Sequence, residues 1–306
     1  MKKICVLVTL LFFCAAPAFG DVVQDGLSDQ ASERIMNGTR ALIAAGMDED
    51  AAVHLTQAMI GSHMSEELTL RAQGVLKDAA SEGLPLEPIM NKAYEGMAKK
   101  VHADRVVRAM EAVRSRYAYA YEKVGLLVQE RSHLRSAGDI LADGLAAGLG
   151  PEDAQRLVTR LRDMKRDRTQ EEVEALAEET FRTTRDMARA GVSSSLATET
   201  LMQALQHRFG VREMAMLRAS FMRGIERSEP NRLAQNYAAR IGRGEQAGSL
   251  DSSGSGSGKG TESSGGSGSG ASGGTGGGSG SGNSGSDGGN SGGHGNGGSG
   301  KGSGRN

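Results

Sequence analysis

Aromatic and basic side chains are concentrated in one short stretch of the sequence. Three of the five tyrosines fall within five residues, among basic residues, in the order Arg114, Arg116, Tyr117, Tyr119, Tyr121 and Lys123. On a helix, Tyr117 and Tyr121 would share a face and Tyr119 would point away from it. Tyrosine beside arginine is a frequent composition of protein-interface contacts. We therefore predict four protein-contact residues: Arg114, Arg116, Tyr117 and Tyr121. The alternative is that the rings fill gaps in a core of small side chains.

No motif of a known catalytic site is present in the sequence. It contains no His-Glu-x-x-His, no Gly-x-Ser-x-Gly and no phosphate-binding Gly-x4-Gly-Lys-Ser/Thr. Adjacent carboxylates such as Glu178 and Glu179 point to different sides of a helix, whereas acid–base catalysis on a glycan needs two carboxyl groups that face each other across a cleft. We predict that the protein is not an enzyme. The less favoured alternative is an enzyme whose carboxylate site no motif marks.

Histidine and methionine are densest at His54, Met59, His63 and Met64. Imidazole and thioether groups suit soft metals such as copper. The two histidines are nine residues apart, however, and need not converge on one ion. We predict no metal site and no cofactor, and a structural or solvated role for these side chains.

The richest basic stretch of the chain is followed by an acidic one. Its cationic residues are Arg156, Arg160, Arg162, Lys165, Arg166 and Arg168. Asp163 and Asp167 interrupt it, and five glutamates lie between residues 171 and 179. We interpret this pattern as a solvated, salt-bridged pair of helices rather than a phosphate-binding groove. The net charge of −1 for the full chain likewise gives no indication of nucleic-acid binding.

A short phrase with a central glycine recurs along the chain. The pattern is a small or acidic residue, then glycine, then an aliphatic residue or methionine, followed by a residue that suits the start of a helix. It occurs around Gly46, Gly83, Gly148 and Gly191. Glycine tolerates positive φ, so it closes a helix, and the apolar residue after it can fold back on the last turn as in a Schellman motif. Asp48, Pro85, Pro151 and Ser193 would then begin the following helices. A looser fifth copy stands at residues 209–211.

The fold class predicted from these phrases is all-α, with stacked antiparallel helix pairs in an irregular α-solenoid or a helical bundle. Unequal spacing of the glycines excludes a strict array of one well-known repeat, and ordinary helix–loop–helix connections in an irregular bundle are the alternative. Apolar periodicity predicts helices over about 32–45, 48–60, 65–82, 86–99, 102–135, 137–147, 151–167, 170–189, 194–208, 211–226 and 230–241.

The first twenty residues have the pattern of a signal peptide. Lys2 and Lys3 precede an apolar run over residues 4–13, and small residues at 18 and 20 suit cleavage before Asp21. Both cysteines fall in this segment, so the predicted mature chain has no disulfide. Lipidation at Cys14 is the minor alternative, because the residue before it, Phe13, is large. We expect an exported protein, periplasmic or secreted, with no transmembrane segment after cleavage.

The other end of the chain is dominated by glycine and serine. Residues 248–306 contain almost no apolar side chain, so we predict a disordered, low-complexity tail after a helical domain over residues 21–247. The functional prediction is an exported helical interaction or scaffold module whose partner is another envelope or secreted protein. The alternative is a structural protein in which the tail is the spacer or assembly element.

Overall fold

The structure, a computed structural model, describes residues 21–254, and side-chain burial within residues 21–250. Within this range it contains α-helices and 3₁₀ helices and no β-strand. The α-helices are α1 (Val22–Leu27), α2 (Glu33–Ala44), α3 (Glu49–Gly61), α4 (Glu66–Ser81), α5 (Glu87–Ala98), α6 (Ala103–Gly125), α7 (Arg131–Ala146), α8 (Pro151–Asp163), α9 (Gln170–Arg189), α10 (Ser194–Gln206), α11 (Val211–Gly224) and α12 (Pro230–Gly242). The all-α prediction is therefore confirmed. The predicted signal peptide and most of the predicted tail lie outside the described residues.

The helices stack in two layers. One layer runs through α2, α4, α6, α7, α9 and α11, each of which packs against the next. The other is formed by α1, α3 and α5 in the first half and by α8, α10 and α12 in the second. Each helix packs against its neighbours in the stack, and the side-chain hydrogen bonds between successive pairs join residues about forty positions apart, such as Arg71 to Glu111 and Arg218 to Glu179. This arrangement is an α-solenoid with an irregular centre.

The recurring glycine phrase closes four of the helix pairs. Gly46, Gly83, Gly148 and Gly191 all have positive φ and connect a helix of the first layer to its partner in the second. The amide of the following apolar residue bonds back to the last turn of the helix in every copy, as Leu84 N–H does to the Ala79 carbonyl at 3.0 Å. The Schellman prediction is thus confirmed at these four turns.

The predicted starts of the second-layer helices are mostly correct. Asp48 caps α3 through the Ala51 amide, α8 begins at Pro151, and Ser193 is the N-cap of α10. Pro85 lies one residue before the N-cap of α5, Leu86, and Pro88 is the proline within the first turn. In the looser fifth phrase, the residue with positive φ is Arg208 rather than Gly210. That turn connects α10 of one helix pair to α11 of the next, whereas the other four turns connect the two helices of one pair.

The regular alternation of layers stops at α6. This helix of 23 residues packs against α4 and α5 along its first part and against α7 along its second, so α6 and α7 both lie in the first layer. The single helix predicted over residues 102–135 is wrong, because the chain leaves the helix at residues 126–130. Side chains from later in the chain stabilise this break. Lys165 donates a hydrogen bond to the Leu126 carbonyl, and Gln170 donates one to the Leu127 carbonyl.

The core is built from aliphatic side chains, alanine, methionine and a few aromatic rings. The three phenylalanines after residue 20, Phe181, Phe209 and Phe221, are all buried. A polar cluster lies inside the first half, where the Gln73 amide donates to Thr39 Oγ1 and to the Ile35 carbonyl. Buried groups of this kind fix which helix faces meet, since they lose their hydrogen bonds in any other packing.

Short segments cover both ends of the stack. Val23 and Leu27 of α1 are buried against the first pair. At the other end a 3₁₀ helix over Ala247–Gly254 packs on α11, where Leu250 is 1% exposed. The guanidinium of Arg240 donates to the Ser249 and Leu250 carbonyls and fixes this segment. Packed structure therefore extends into the range that composition assigned to the tail.

No helix in the described part of the chain combines the length and the apolar character needed to span a bilayer.

Candidate contact site on helix α6

The predicted contact residues all lie on α6, near the point where the two halves of the stack meet. Tyr117 and Tyr121 share the face of α6 that packs on α7, and their ring centroids are 6.3 Å apart at an interplanar angle of 45°. Tyr119 points elsewhere, as its position on a helix requires. Its hydroxyl donates to the Pro151 carbonyl at 2.6 Å, and Lys123 Nζ lies 5.2 Å from its ring centroid.

Tyr117 is an internal residue of the domain. Its side chain belongs to the main hydrophobic core and only 6% of the residue is exposed. Burial, with a contribution from the nearby Asp143 carboxylate, raises the pKa of Tyr117 to about 12. A ring in this position supports its neighbours, and direct contact with a partner would require it to leave the core.

Tyr121 combines a packed ring with an accessible edge. Its ring lies against Gly138 of α7, where an added Cβ would be 2.6 Å from two ring carbons. Its hydroxyl donates to Asp139 Oδ1 at 2.8 Å. Burial and this hydrogen bond raise the pKa of Tyr121, and burial raises the pKa of Asp139 despite the bond from the tyrosine. The tyrosine therefore remains a neutral hydrogen-bond donor at physiological pH.

The two predicted arginines have different surroundings. The Arg114 guanidinium forms an ion pair with Glu82, which lies in the turn between α4 and α5. Arg116 forms no ion pair with the described residues, and the Nε atoms of both arginines are buried without a hydrogen-bond acceptor among them. The ion pair at Arg114 links α6 to the α4–α5 pair, whereas Arg116 has no such partner among the described residues.

A groove of about 570 Å³ opens beside Tyr121, between the α4–α5 turn, α6 and α7. It is lined by Glu82, Gly83, Leu84, Ala118, Tyr121, Glu122, Arg131, Leu134 and Arg135. Of the four predicted contact residues, only Tyr121 lines it. Arg131 and Arg135 are exposed and form no hydrogen bond or ion pair with other described side chains. The groove thus offers an apolar and aromatic floor with charges of both signs along its sides.

Sequence reasoning did not identify the residues that α7 and the α4–α5 turn contribute to this groove. The helix predicted over residues 102–135 placed Leu134 and Arg135 on the same rod as the tyrosines, where they could not face them. One signal was present in the sequence: glycine inside a helix, as at Gly138, often marks the close approach of a large side chain.

The histidines and methionines considered for metal binding do not lie together. Met59 and Met64 are buried in the core, while His54 and His63 are exposed. Among the described residues, no three His, Cys, Asp or Glu side chains are placed to hold a metal ion.

Comparisons with known proteins give no relative from which a function could be transferred: no family model, no curated protein and no solved structure matches this chain.

Proposed function

We propose that this protein is an exported, non-catalytic interaction module that holds a segment of another envelope or secreted protein in the groove beside Tyr121. The observation that carries the proposal is the position of that groove. It lies where the regular stacking of helix pairs is interrupted, so the lining comes from three separate elements. Helical stacks commonly present extended surfaces of this kind to other proteins.

The lining suggests the chemistry of the bound segment. Leu84, Leu134 and the Tyr121 ring form an apolar floor that suits one buried apolar or aromatic side chain. Arg131 and Arg135 form no hydrogen bond or ion pair with the described residues, although Arg135 interacts electrostatically with Asp139. An acidic residue of the ligand can therefore pair with them. We therefore expect a segment with an apolar residue next to one or more carboxylates.

The carboxylates around the groove support a non-enzymatic role. Glu82 is engaged by Arg114, Glu122 by Lys123, and Asp139 accepts a hydrogen bond from the hydroxyl of Tyr121. General acid–base catalysis needs a carboxyl group within reach of a substrate proton, and these three groups already serve internal contacts.

Export with cleavage after Gly20 is part of the proposal. In its support, Asp21 caps α1 by accepting from the Val23 amide at 3.1 Å and pairs with Arg40 Nη2 at 2.6 Å. The predicted mature protein would then begin at a residue that has a role in the fold. The intact mass of the protein recovered from the envelope and the culture medium tests this: it should correspond to residues 21–306.

The groove is tested by a charge reversal at its edge. Full-length protein carrying Arg135→Glu is compared with Arg105→Glu, the same change at an exposed α6 residue outside the groove. After cross-linking in the native host, we expect the partner bound by the unchanged protein to be recovered at least several-fold less with Arg135→Glu and equally with Arg105→Glu. Equal recovery with both variants would remove the groove from the proposal.

In the competing function, the Gly/Ser tail is the active element. A shortened chain that ends at residue 254 distinguishes this function from the interaction module. Retention of the partner by this shorter chain supports the interaction module. A partner held only by the full-length chain would assign the function to the tail.

A further inference from the structure

A second cavity, of about 530 Å³, lies at the edge of the stack where α8, the 3₁₀ helix Met164–Arg166 and the α10–α11 turn meet. Its charged lining residues are Arg160, Asp163, Asp167, Arg168 and Arg208. Three guanidinium groups thus line one concavity together with two carboxylates. The cavity is separate from the groove beside Tyr121, and nothing in the proposed function depends on it.

Two of the arginines are fixed by neutral acceptors. Arg160 Nη2 donates to the Leu205 carbonyl at 3.2 Å. Arg168 Nη2 donates to the carbonyls of residues 208 and 209 at 3.2 and 3.3 Å. A carbonyl orients a guanidinium without neutralising it, so both groups are held in place with their full positive charge.

The carboxylates nearby do not compensate these charges by direct contact. Within the basic stretch of residues 156–168, Arg156 pairs with Asp153 at 3.2 Å, and the other cations form no ion pair with the described residues. The salt-bridged interpretation thus holds for Arg156 in the basic stretch and for Glu178 and Glu179 in the acidic stretch, which pair with Arg182, but not for the other cations of the basic stretch. Asp163 and Asp167 remain exposed to water on the lining, which leaves a net charge of +1 from the five charged groups.

The third arginine occupies a strained backbone position. Arg208 has φ of 60°, as His63 and Lys100 have φ of 59° and 52° at the α3–α4 and α5–α6 turns, whereas the five other described positive-φ positions carry glycine. A side chain there is disfavoured by contact between Cβ and the backbone. Glycine at residue 208 would therefore relieve strain and at the same time remove an exposed cation from the cavity lining.

We propose that this cavity binds a tetrahedral oxyanion, namely phosphate, either as the free ion or as a monoester on a larger molecule. Arginine is suited to this ligand because its planar guanidinium forms two parallel hydrogen bonds to phosphate oxygens. Arg160 and Arg168 supply the fixed charges, and the exposed Arg208 closes the cavity from the turn.

The test is titration of the full-length protein with inorganic phosphate by isothermal titration calorimetry, at constant ionic strength against chloride. Arg208→Gly removes a charged donor and relieves the backbone strain. We expect phosphate to bind about tenfold more weakly or worse, while the melting temperature stays equal or rises. The matched control is Arg166→Gln, which removes an exposed positive charge from the same stretch outside the cavity lining and should leave binding within about twofold.

Two results would overturn the proposal: no saturable heat with phosphate beyond that with chloride, or equal weakening by Arg208→Gly and Arg166→Gln, which would indicate general charge attraction. A parallel titration with glycerol phosphate identifies the source of the anion. Tighter binding of the monoester indicates a phosphorylated or phosphodiester-derived ligand, and tighter binding of inorganic phosphate indicates the free ion.

Discussion

Gly138 shows how a single residue controls the groove. Its missing side chain lets the Tyr121 ring lie against α7, and the hydroxyl then reaches Asp139. Glycine inside a helix costs about 0.5–1 kcal/mol relative to alanine, so this close approach offsets a local loss of helix stability.

We predict that Gly138→Ala destabilises the domain by about 1–3 kcal/mol, because the new methyl group must displace the Tyr121 ring. Gly74→Ala is the control: it lies inside α4, and an added Cβ there has no atom within 4 Å. That change should stabilise by about 0.5–1 kcal/mol. Urea unfolding measures both, and a stabilising Gly138→Ala would show that Tyr121 is not held as described.

A second residue-scale feature is the pair formed by His133 and the buried Glu174. Glu174 accepts from His133 Nδ1 at 2.9 Å, from the Gln129 amide at 2.9 Å and from Gln170 Nε2 at 2.6 Å. The hydrogen bond to Glu174 raises the pKa of His133 above 6.5. Burial acts to raise the pKa of Glu174, but the bonds from Gln170, His133 and Gln129 outweigh it and lower the pKa below 4.5.

These shifts predict a pH dependence of stability with a defined sign. The contribution of His133 is complete below pH 6.5 and is lost as the pH rises through its raised folded-state pKa. The contribution of Glu174 is complete above pH 4.5 and is lost as the pH falls through its lowered one. The pair therefore stabilises most between pH 4.5 and 6.5.

The measurement is the melting temperature of His133→Gln and unchanged protein across pH 4 to 9. The difference between them should be largest between pH 4.5 and 6.5 and should shrink toward pH 9. His54→Gln, at an exposed histidine of α3 that makes no side-chain hydrogen bond, is the control and should show no such trend. A difference independent of pH would mean that His133 acts through packing alone.

At the scale of elements, helix ends are fixed by local hydrogen bonds. Thr169 accepts from the Glu172 amide at 3.2 Å, and the Glu172 carboxylate accepts from the Thr169 amide at 2.9 Å. This capping box begins α9, which lies in the centre of the second half and packs on α7 and α11.

Replacing this cap should be measurably destabilising. We expect Thr169→Ala to lower the free energy of unfolding by about 1 kcal/mol, since the Glu172 amide loses its acceptor. Ser193 is the matched control: it is the N-cap of α10, but its side chain makes no capping hydrogen bond. Ser193→Ala should cost clearly less in the same denaturation experiment, and equal losses would contradict the assignment of the cap.

At the scale of the whole molecule, the stack depends on its end segments. The 3₁₀ helix after α12 covers α11 with Ala247 and Leu250, and Arg240 binds its carbonyls. Without this cover, the apolar face of α11 would be exposed to water.

Two truncations test the end segment. A chain that ends at residue 246 should be less stable by about 2–4 kcal/mol than one that ends at residue 254, mainly from exposure of Leu250 and its neighbours. Urea unfolding of both chains gives the difference. Identical midpoints would show that the helical domain ends at α12, as composition alone suggested.

Local chemistry in the sequence was enough to predict the all-α class, the four glycine turns and most helix bounds. Positive φ at Gly46 or Gly191 is a property of a few neighbouring residues, so it can be identified without knowing what packs nearby. The helical face shared by Tyr117 and Tyr121 follows from periodicity in the same way.

Other features were decided by contacts between residues far apart in the chain. The break after Gly125 depends on carbonyls that Lys165 and Gln170 satisfy, and the glycine alone did not predict it. The stacking of the helix pairs likewise decides three further features. These are the side of α6 that is covered, the arginines that pair with carboxylates, and the residues that line the groove beside Tyr121 and the second cavity. Sequence periodicity gives each helix an apolar face, but only the tertiary structure determines which neighbouring face buries it.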